Sequence, residues 1–138
     1  MGREAALRFA HIDVQAESYA DNLDVLLQTS RLKKNQICVG ISHSGRTAMV
    51  KKGLRIANEK GAVTALITNY MNTPIKDFCD YLFFTSFTEN SVRSAAISSK
   101  IAQAAIIDSI YLLTAKKKRS IWDFSELDLL IERNLKID

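Results

Sequence analysis

An apolar run, Ile37-Cys38-Val39-Gly40-Ile41, passes directly into Ser42-His43-Ser44-Gly45-Arg46-Thr47 and then into a stretch with helical spacing. No other junction in the chain constrains the fold as much. A short continuous apolar run rich in β-branched residues suits a strand buried on both faces of a parallel sheet. From Thr47 to Lys60 the apolar positions Val50, Leu54 and Ala57 share one helical face, while Lys51, Lys52, Arg55 and Lys60 fall largely elsewhere. Gly61 then supplies a C-terminal stop. Strand, tight polar loop and helix start therefore follow one another with no spare residues.

That order has a chemical consequence. The first N–H groups of a helix have no intrahelical partner, and the helix dipole favours negative charge beside them. Ser42, Ser44 and Thr47 add hydroxyl donors at the same place, and Gly45 lets backbone approach a ligand closely. The residue types point to an anion, and a phosphate group is the expected one. The blander alternative is that Ser42 and Ser44 only cap the helix; three hydroxyls and a glycine at a strand end argue against it.

Other chemistries fit the loop less well. A nucleophile elbow needs G-x-S-x-G, but in Gly40-Ile41-Ser42-His43-Ser44 the last glycine is displaced by one position. Its histidine should lie downstream, whereas the chain has only His43, adjacent to Ser42, and His11, upstream. Gly40 and Gly45 have the first spacing of a nucleotide P-loop, yet Arg46-Thr47 stands where Lys-Ser/Thr is required. No G-x-G-x-x-G occurs, and two histidines and two cysteines far apart form no metal-ligand spacing, so neither a cofactor nor a metal is expected.

The rest of the chain alternates between helical and strand patterns. Ala5, Ala6, Phe9 and Ile12 mark a first helix, and Val14 to Tyr19 reads as a strand. Asp21 or Asn22 can cap a helix with Leu23, Leu26 and Leu27 as its apolar stripe. Val63 to Ile67 and Tyr81 to Phe84 read as strands, and Pro74 opens a short helix after Thr73. A long helix is expected from about Asn90 to Thr114. Its face includes Val92, Ala95, Ala96, Ser99, Ala102, Ile106, Ile110 and Leu113, and its small residues suit close contact within the chain or across a dimer. Ser125-Glu126-Leu127-Asp128 is a capping box for a last helix carrying Leu127, Leu130, Ile131 and Leu135. Strands separated by helices imply a parallel α/β sheet, whose ligands bind at the carboxyl ends of the strands. The Ser42 loop, Asn69, and Thr85, Ser86, Thr88 and Glu89 would all gather there.

Composition sets the outer limits. The 138 residues suffice for one domain, residues 1–138, with no repeat or linker to mark a second. No apolar run approaches ~18 residues, so no membrane span is expected, and no signal peptide opens the chain. Cys38 and Cys79, in or beside apolar segments, read as buried free thiols of a cytoplasmic protein. The net charge of +4 is modest, and its densest piece, Lys116-Lys117-Lys118-Arg119, suits a helix C-terminus better than a nucleic-acid patch.

At these residues the chain resembles the sugar isomerase (SIS) family of phosphosugar-binding domains, which carries S-x-S-G-x-T after a central strand; here it is Ser42 to Thr47. One branch is more similar still, the effector domains of RpiR-type transcriptional regulators. Leu32-Lys33-Lys34-Asn35-Gln36 resembles the segment leading into their motif strand. Glu89-Asn90, Arg93, Ser99-Lys100, Ala102-Gln103 and Ile107-Asp108 resemble their long-helix pattern.

The resemblance implies a flavodoxin-like three-layer α/β/α sandwich with a parallel sheet. It implies that Ser42, Ser44 and Thr47, with the backbone around His43 and Gly45, hold the phosphate of a sugar phosphate, and that Glu89 lies near the sugar hydroxyls. The partners it implies are a sugar phosphate and a second copy of the chain, in a homodimer or higher homo-oligomer. A sensing module with no catalytic residue is the expected function; an aldose–ketose phosphate isomerase, using Glu89 or His43 as base, is the alternative. Two departures stand out. The family's first strand and its G-x-G-x-S loop should precede Met1-Gly2-Arg3-Glu4-Ala5, so that strand is expected to be lacking. The regulators' helix-turn-helix domain is also missing, so specific DNA binding is not expected of this chain alone.

Overall fold

The computed structural model describes residues 1–85 and 92–119. Helix α1 spans Gly2–Ala10 and α2 spans Asn22–Ser30. Strand β1 (Ile37–Ile41), helix α3 (Ala48–Glu59) and strand β2 (Val63–Thr68) follow. A 3-10 turn at Lys76–Phe78, strand β3 (Tyr81–Phe84) and the long helix α4 (Val92–Arg119) complete the order. Among the described residues the sheet has three strands in the order β1-β2-β3, with both pairings parallel. Ile37 stands beside Val63 and Ile41 beside Ile67; Ala65 stands beside Tyr81 and Thr68 beside Phe84.

Local chemistry explains most boundaries. Asp21 accepts from Leu23 N at 2.8 Å and so caps α2. At the far end of α3, Gly61 takes φ 75°, and its N–H donates to Asn58 O at 2.8 Å, the left-handed ending that glycine provides. Pro74 follows Thr73, and the short helix it was expected to open is the 3-10 turn two residues later.

One face of the sheet carries the main core. Leu54 of α3, Leu66 of β2 and Ile75 are each at most 1% exposed, and Cys38, Val50, Cys79 and Leu82 pack around them. Gly40 allows α3 to come this close: a Cβ there would sit 2.6 Å from Leu54 Cδ1 and 2.7 Å from Val50 Cγ1. Helix α2 lies on α3, where Gly53 leaves room for Val25. On the other face Ala65 and Ile67 are buried as well, so β2 is the covered middle strand. Helices α1 and α4 pack on each other. Phe9 and Tyr111 meet edge to face at 5.9 Å, Arg8 pairs with Asp108, and Lys118 Nζ donates to Ile12 O at 2.9 Å. The Lys116 to Arg119 cluster thus ends α4, as its charge suggested.

Four sequence expectations need correction. Ile37 and Val39 are 67% and 50% exposed: they lie on the face of β1 away from α3, and β1, an edge strand among the described residues, is not buried on both faces. Residues Val14 to Tyr19 form no strand; Asp13 takes φ 54°, Val14 N bonds back to Phe9 O, and the segment runs irregularly. On α2, Leu23 and Leu27 face outward while Val25 and Thr29 meet α3. On α4 the buried positions among the described side chains are Ser99, which the expected face included, with Gln103 and Ile107; Ala102, Ile106 and Ile110 are partly buried, and Leu113 alone of that described face is exposed. Both cysteines are free and half-buried. The expected last helix, Asn90 and the polar residues Ser86, Thr88 and Glu89 lie outside the described residues.

Candidate anion-binding site

The carboxyl ends of the three strands are stitched together beyond the regular ladder. Ser42 N donates to Ile67 O at 3.0 Å, Asn69 N to His43 O at 3.0 Å, and Thr85 N to Thr68 O at 2.9 Å. The Ser42 to Thr47 loop is thereby held over the top of β2. Within it, Gly45 N closes a turn on Ser42 O at 3.1 Å, and Arg46 N donates to Ser44 Oγ at 3.2 Å. Gly45 needs φ 61°, the left-handed region that glycine tolerates best.

The hydroxyls are arranged unequally. Ser42 is buried, and its Oγ lies 2.8 Å from Thr47 Oγ1, either of which can be the donor. Thr47 occupies the N-cap position of α3 but makes no side-chain cap bond to it. Helix α2 differs, since its own Asp21 carboxylate fills that role. The first turn of α3 also contains no acidic residue, and Arg46, Lys51 and Lys52 surround it with positive charge. An anion at this helix start would meet backbone donors, hydroxyls and a favourable dipole, with no carboxylate of the helix itself competing. The His43 ring sits edge-on to Tyr70 at 6.0 Å, and its backbone carbonyl accepts from Asn69 and Thr68.

The structure brings Ser42, His43, Ser44, Gly45 and Thr47 together in one loop, joined by Asn69 and Thr85, whose Oγ1 donates to Asn69 Oδ1 at 3.4 Å. Glu89 falls outside the described residues. Two further threonines, Thr68 and Thr73, lie beneath the loop at 0% and 2% exposure. Sequence reasoning placed them at a strand end and before a helix without seeing what they support. Among the described residues no group of His, Cys, Asp and Glu could hold a metal ion, and no helix is long and apolar enough to cross a membrane.

Fold and loop together define an α/β domain with a polar strand-to-helix junction at the carboxyl edge of a parallel sheet. The chain belongs to the SIS domain family, whose model matches residues 1–113. An uncharacterized HTH-type transcriptional regulator of Caldanaerobacter subterraneus is 35% identical over 115 residues, covering 83% of this chain and 41% of the relative. The HTH-type transcriptional regulator RpiR of Escherichia coli K12 is 27% identical over 109 residues, 79% of this chain and 37% of its own length. The chain thus spans well under half of these curated relatives.

Among solved structures, the Vibrio vulnificus NanR protein complexed with ManNAc-6P superposes with a TM-score of 0.79 at 17% identity, over 98% of this chain and 52% of that one. An Escherichia coli CFT073 protein in complex with A5P gives 0.71 at 18% identity, over 85% of this chain and 63% of that one. Likeness at that identity speaks for the fold, and it bears out the parallel α/β architecture. The resemblance read from Ser42 to Thr47 and from the long helix holds at the level of the family and of its RpiR-type regulators.

Proposed function

We propose that this chain is the phosphosugar-sensing domain of an RpiR-type transcriptional regulator of sugar metabolism. Ser42, Ser44 and Thr47, with the backbone of His43 and Gly45, hold the phosphate, and Glu89 accepts from sugar hydroxyls. The observation that carries this reading is the uncapped start of α3, where the Thr47 hydroxyl faces the buried Ser42 hydroxyl instead of capping its own helix. A phosphate dianion can replace that hydroxyl pair with stronger, charge-assisted bonds to both side chains and to the helix N–H groups. Its relatives' names agree: regulators carry the sequence likeness, and structural neighbours are complexes with ManNAc-6P and A5P.

The reading is of one cytoplasmic domain that senses and does not turn over its ligand. Isomerisation needs a base beside adjacent sugar carbons; the His43 ring is instead packed against Tyr70. DNA contact belongs to a helix-turn-helix domain, not to these residues. Two copies acting together belong to the same reading, supported by Ile101, Leu112 and Leu113, which α4 exposes at 65%, 64% and 69%.

A thermal-shift series tests it. A hundredfold excess of sugar phosphate over its Kd should stabilise the fold by about 2.7 kcal/mol, roughly 10 °C in Tm for a domain of this size. The unphosphorylated sugar should leave Tm unchanged. Interconversion of aldose and ketose phosphates that disappears in Glu89→Gln would overturn the sensor in favour of the isomerase.

A further inference from the structure

The loop that carries the proposed site is held by more than its own internal bonds. Gly45 stands at φ 61°, and a Cβ there would come within 2.7 Å of Thr73 Oγ1, 2.8 Å of Thr73 Cβ and 2.9 Å of Thr68 Oγ1. The loop is therefore seated directly on two buried threonines that come from different parts of the chain. Thr73 Oγ1 donates to Gly45 O and accepts from Ile75 N at 3.1 Å. Thr68 Oγ1 donates to His43 O at 3.2 Å and accepts from Tyr70 N at 3.3 Å. Each hydroxyl is used as donor and as acceptor, so neither is free to turn toward a ligand.

The consequence follows from the planar trans peptide, in which C=O and N–H point in opposite directions. Turning the Gly45 carbonyl down onto Thr73 turns the Arg46 N–H the opposite way, where Ser44 Oγ accepts from it at 3.2 Å. Turning the His43 carbonyl down onto Thr68 likewise turns the Ser44 N–H away from Thr68. We propose that Thr73 is a positioning residue for the anion loop: through Gly45 O it fixes the Gly45–Arg46 peptide, whose N–H is engaged by Ser44 Oγ, and so sets the shape of the loop and how tightly it holds a phosphate. Thr73 itself is 2% exposed and touches no ligand. The affinity part of this inference rests on the loop being the phosphate site; the geometric part does not.

The test uses the whole chain with inorganic phosphate and glucose 6-phosphate as probes, by calorimetric titration well below the melting temperature. Thr73→Val keeps the shape and removes the hydroxyl. It should weaken the binding of both probes about tenfold, the scale of one lost buried hydrogen bond, and speed amide exchange at Gly45 and Arg46 in the ligand-free chain. Thr73→Ser should restore both readouts to within about twofold, since the donor returns. Ile75→Val, a core change beside Thr73, lowers Tm and should leave both unchanged. Unaltered affinity and exchange in Thr73→Val, or losses equal to those in Ile75→Val, overturn the positioning role. A wild-type chain that binds neither probe contradicts the phosphate reading and with it the affinity claim, while the exchange comparison still decides whether Thr73 holds Gly45.

Discussion

At the scale of single residues, Gly45 is the position where the loop tolerates least. Any side chain would combine a left-handed backbone with contact inside 3.0 Å of two buried threonines. Gly45→Ala should cost about 1–3 kcal/mol in a denaturant melt and abolish phosphate binding, because relief requires the loop to lift off Thr73. The thiols give a second, independent prediction. Burial pushes Cys38 and Cys79 from the ordinary 9.0 up to about 11. Both should alkylate slowly at pH 8 until the fold opens. Because the folded state holds the thiol protons more tightly, stability is intact below about pH 9 and falls as pH rises from 9 toward 11. A flat stability profile across that window would contradict the burial of both groups. Residue identities in the loop were readable from Ser42 to Thr47 because hydroxyl and glycine chemistry is local. Thr68 and Thr73 were not, since nothing in their own neighbourhood tells that a loop 25 to 28 residues away rests on them.

At the scale of elements, α3 is anchored to the sheet through Leu54 and aims its N-terminus at the strand ends. Leu54 is 1% exposed, so Leu54→Ala should cost about 2–5 kcal/mol in chemical unfolding, well beyond the loss from a surface position. The junction between β2 and β3 rests partly on Asp80, whose carboxylate accepts from Thr64 N at 2.7 Å and from Thr64 Oγ1 at 2.9 Å. Those bonds, the backbone one first, hold its pKa below the ordinary 3.8. A depressed carboxylate stabilises the fold above the unfolded pKa and ceases to do so as pH falls through the folded value. Acid unfolding below about pH 4 should therefore be shallower in Asp80→Asn than in wild type, and equal slopes would remove Asp80 from the account. The periodicity of α3 identified its buried face correctly, since Leu54 and Ala57 are both buried on it. It misjudged α2, where Leu23 and Leu27 point outward, and on α4 it included the exposed Leu113, because apolar spacing alone does not say which side a neighbour occupies.

At the scale of the whole molecule, the parallel sheet was legible because apolar runs alternated with amphipathic helices, which admits few arrangements. From the residues of Ile37 to Ile41 alone the edge position that β1 takes among the described residues was not legible, since their composition is that of a central strand. The central claim is that the Ser42 to Thr47 loop at the start of α3 anchors the phosphate of a sugar phosphate. A backbone amide NMR titration examines it most directly. The account predicts that glucose 6-phosphate and inorganic phosphate both shift the amides of Ser44 through Met49 while the free sugar leaves them in place. Equal shifts from the free sugar, or phosphate-induced shifts confined to residues away from that loop, would contradict it.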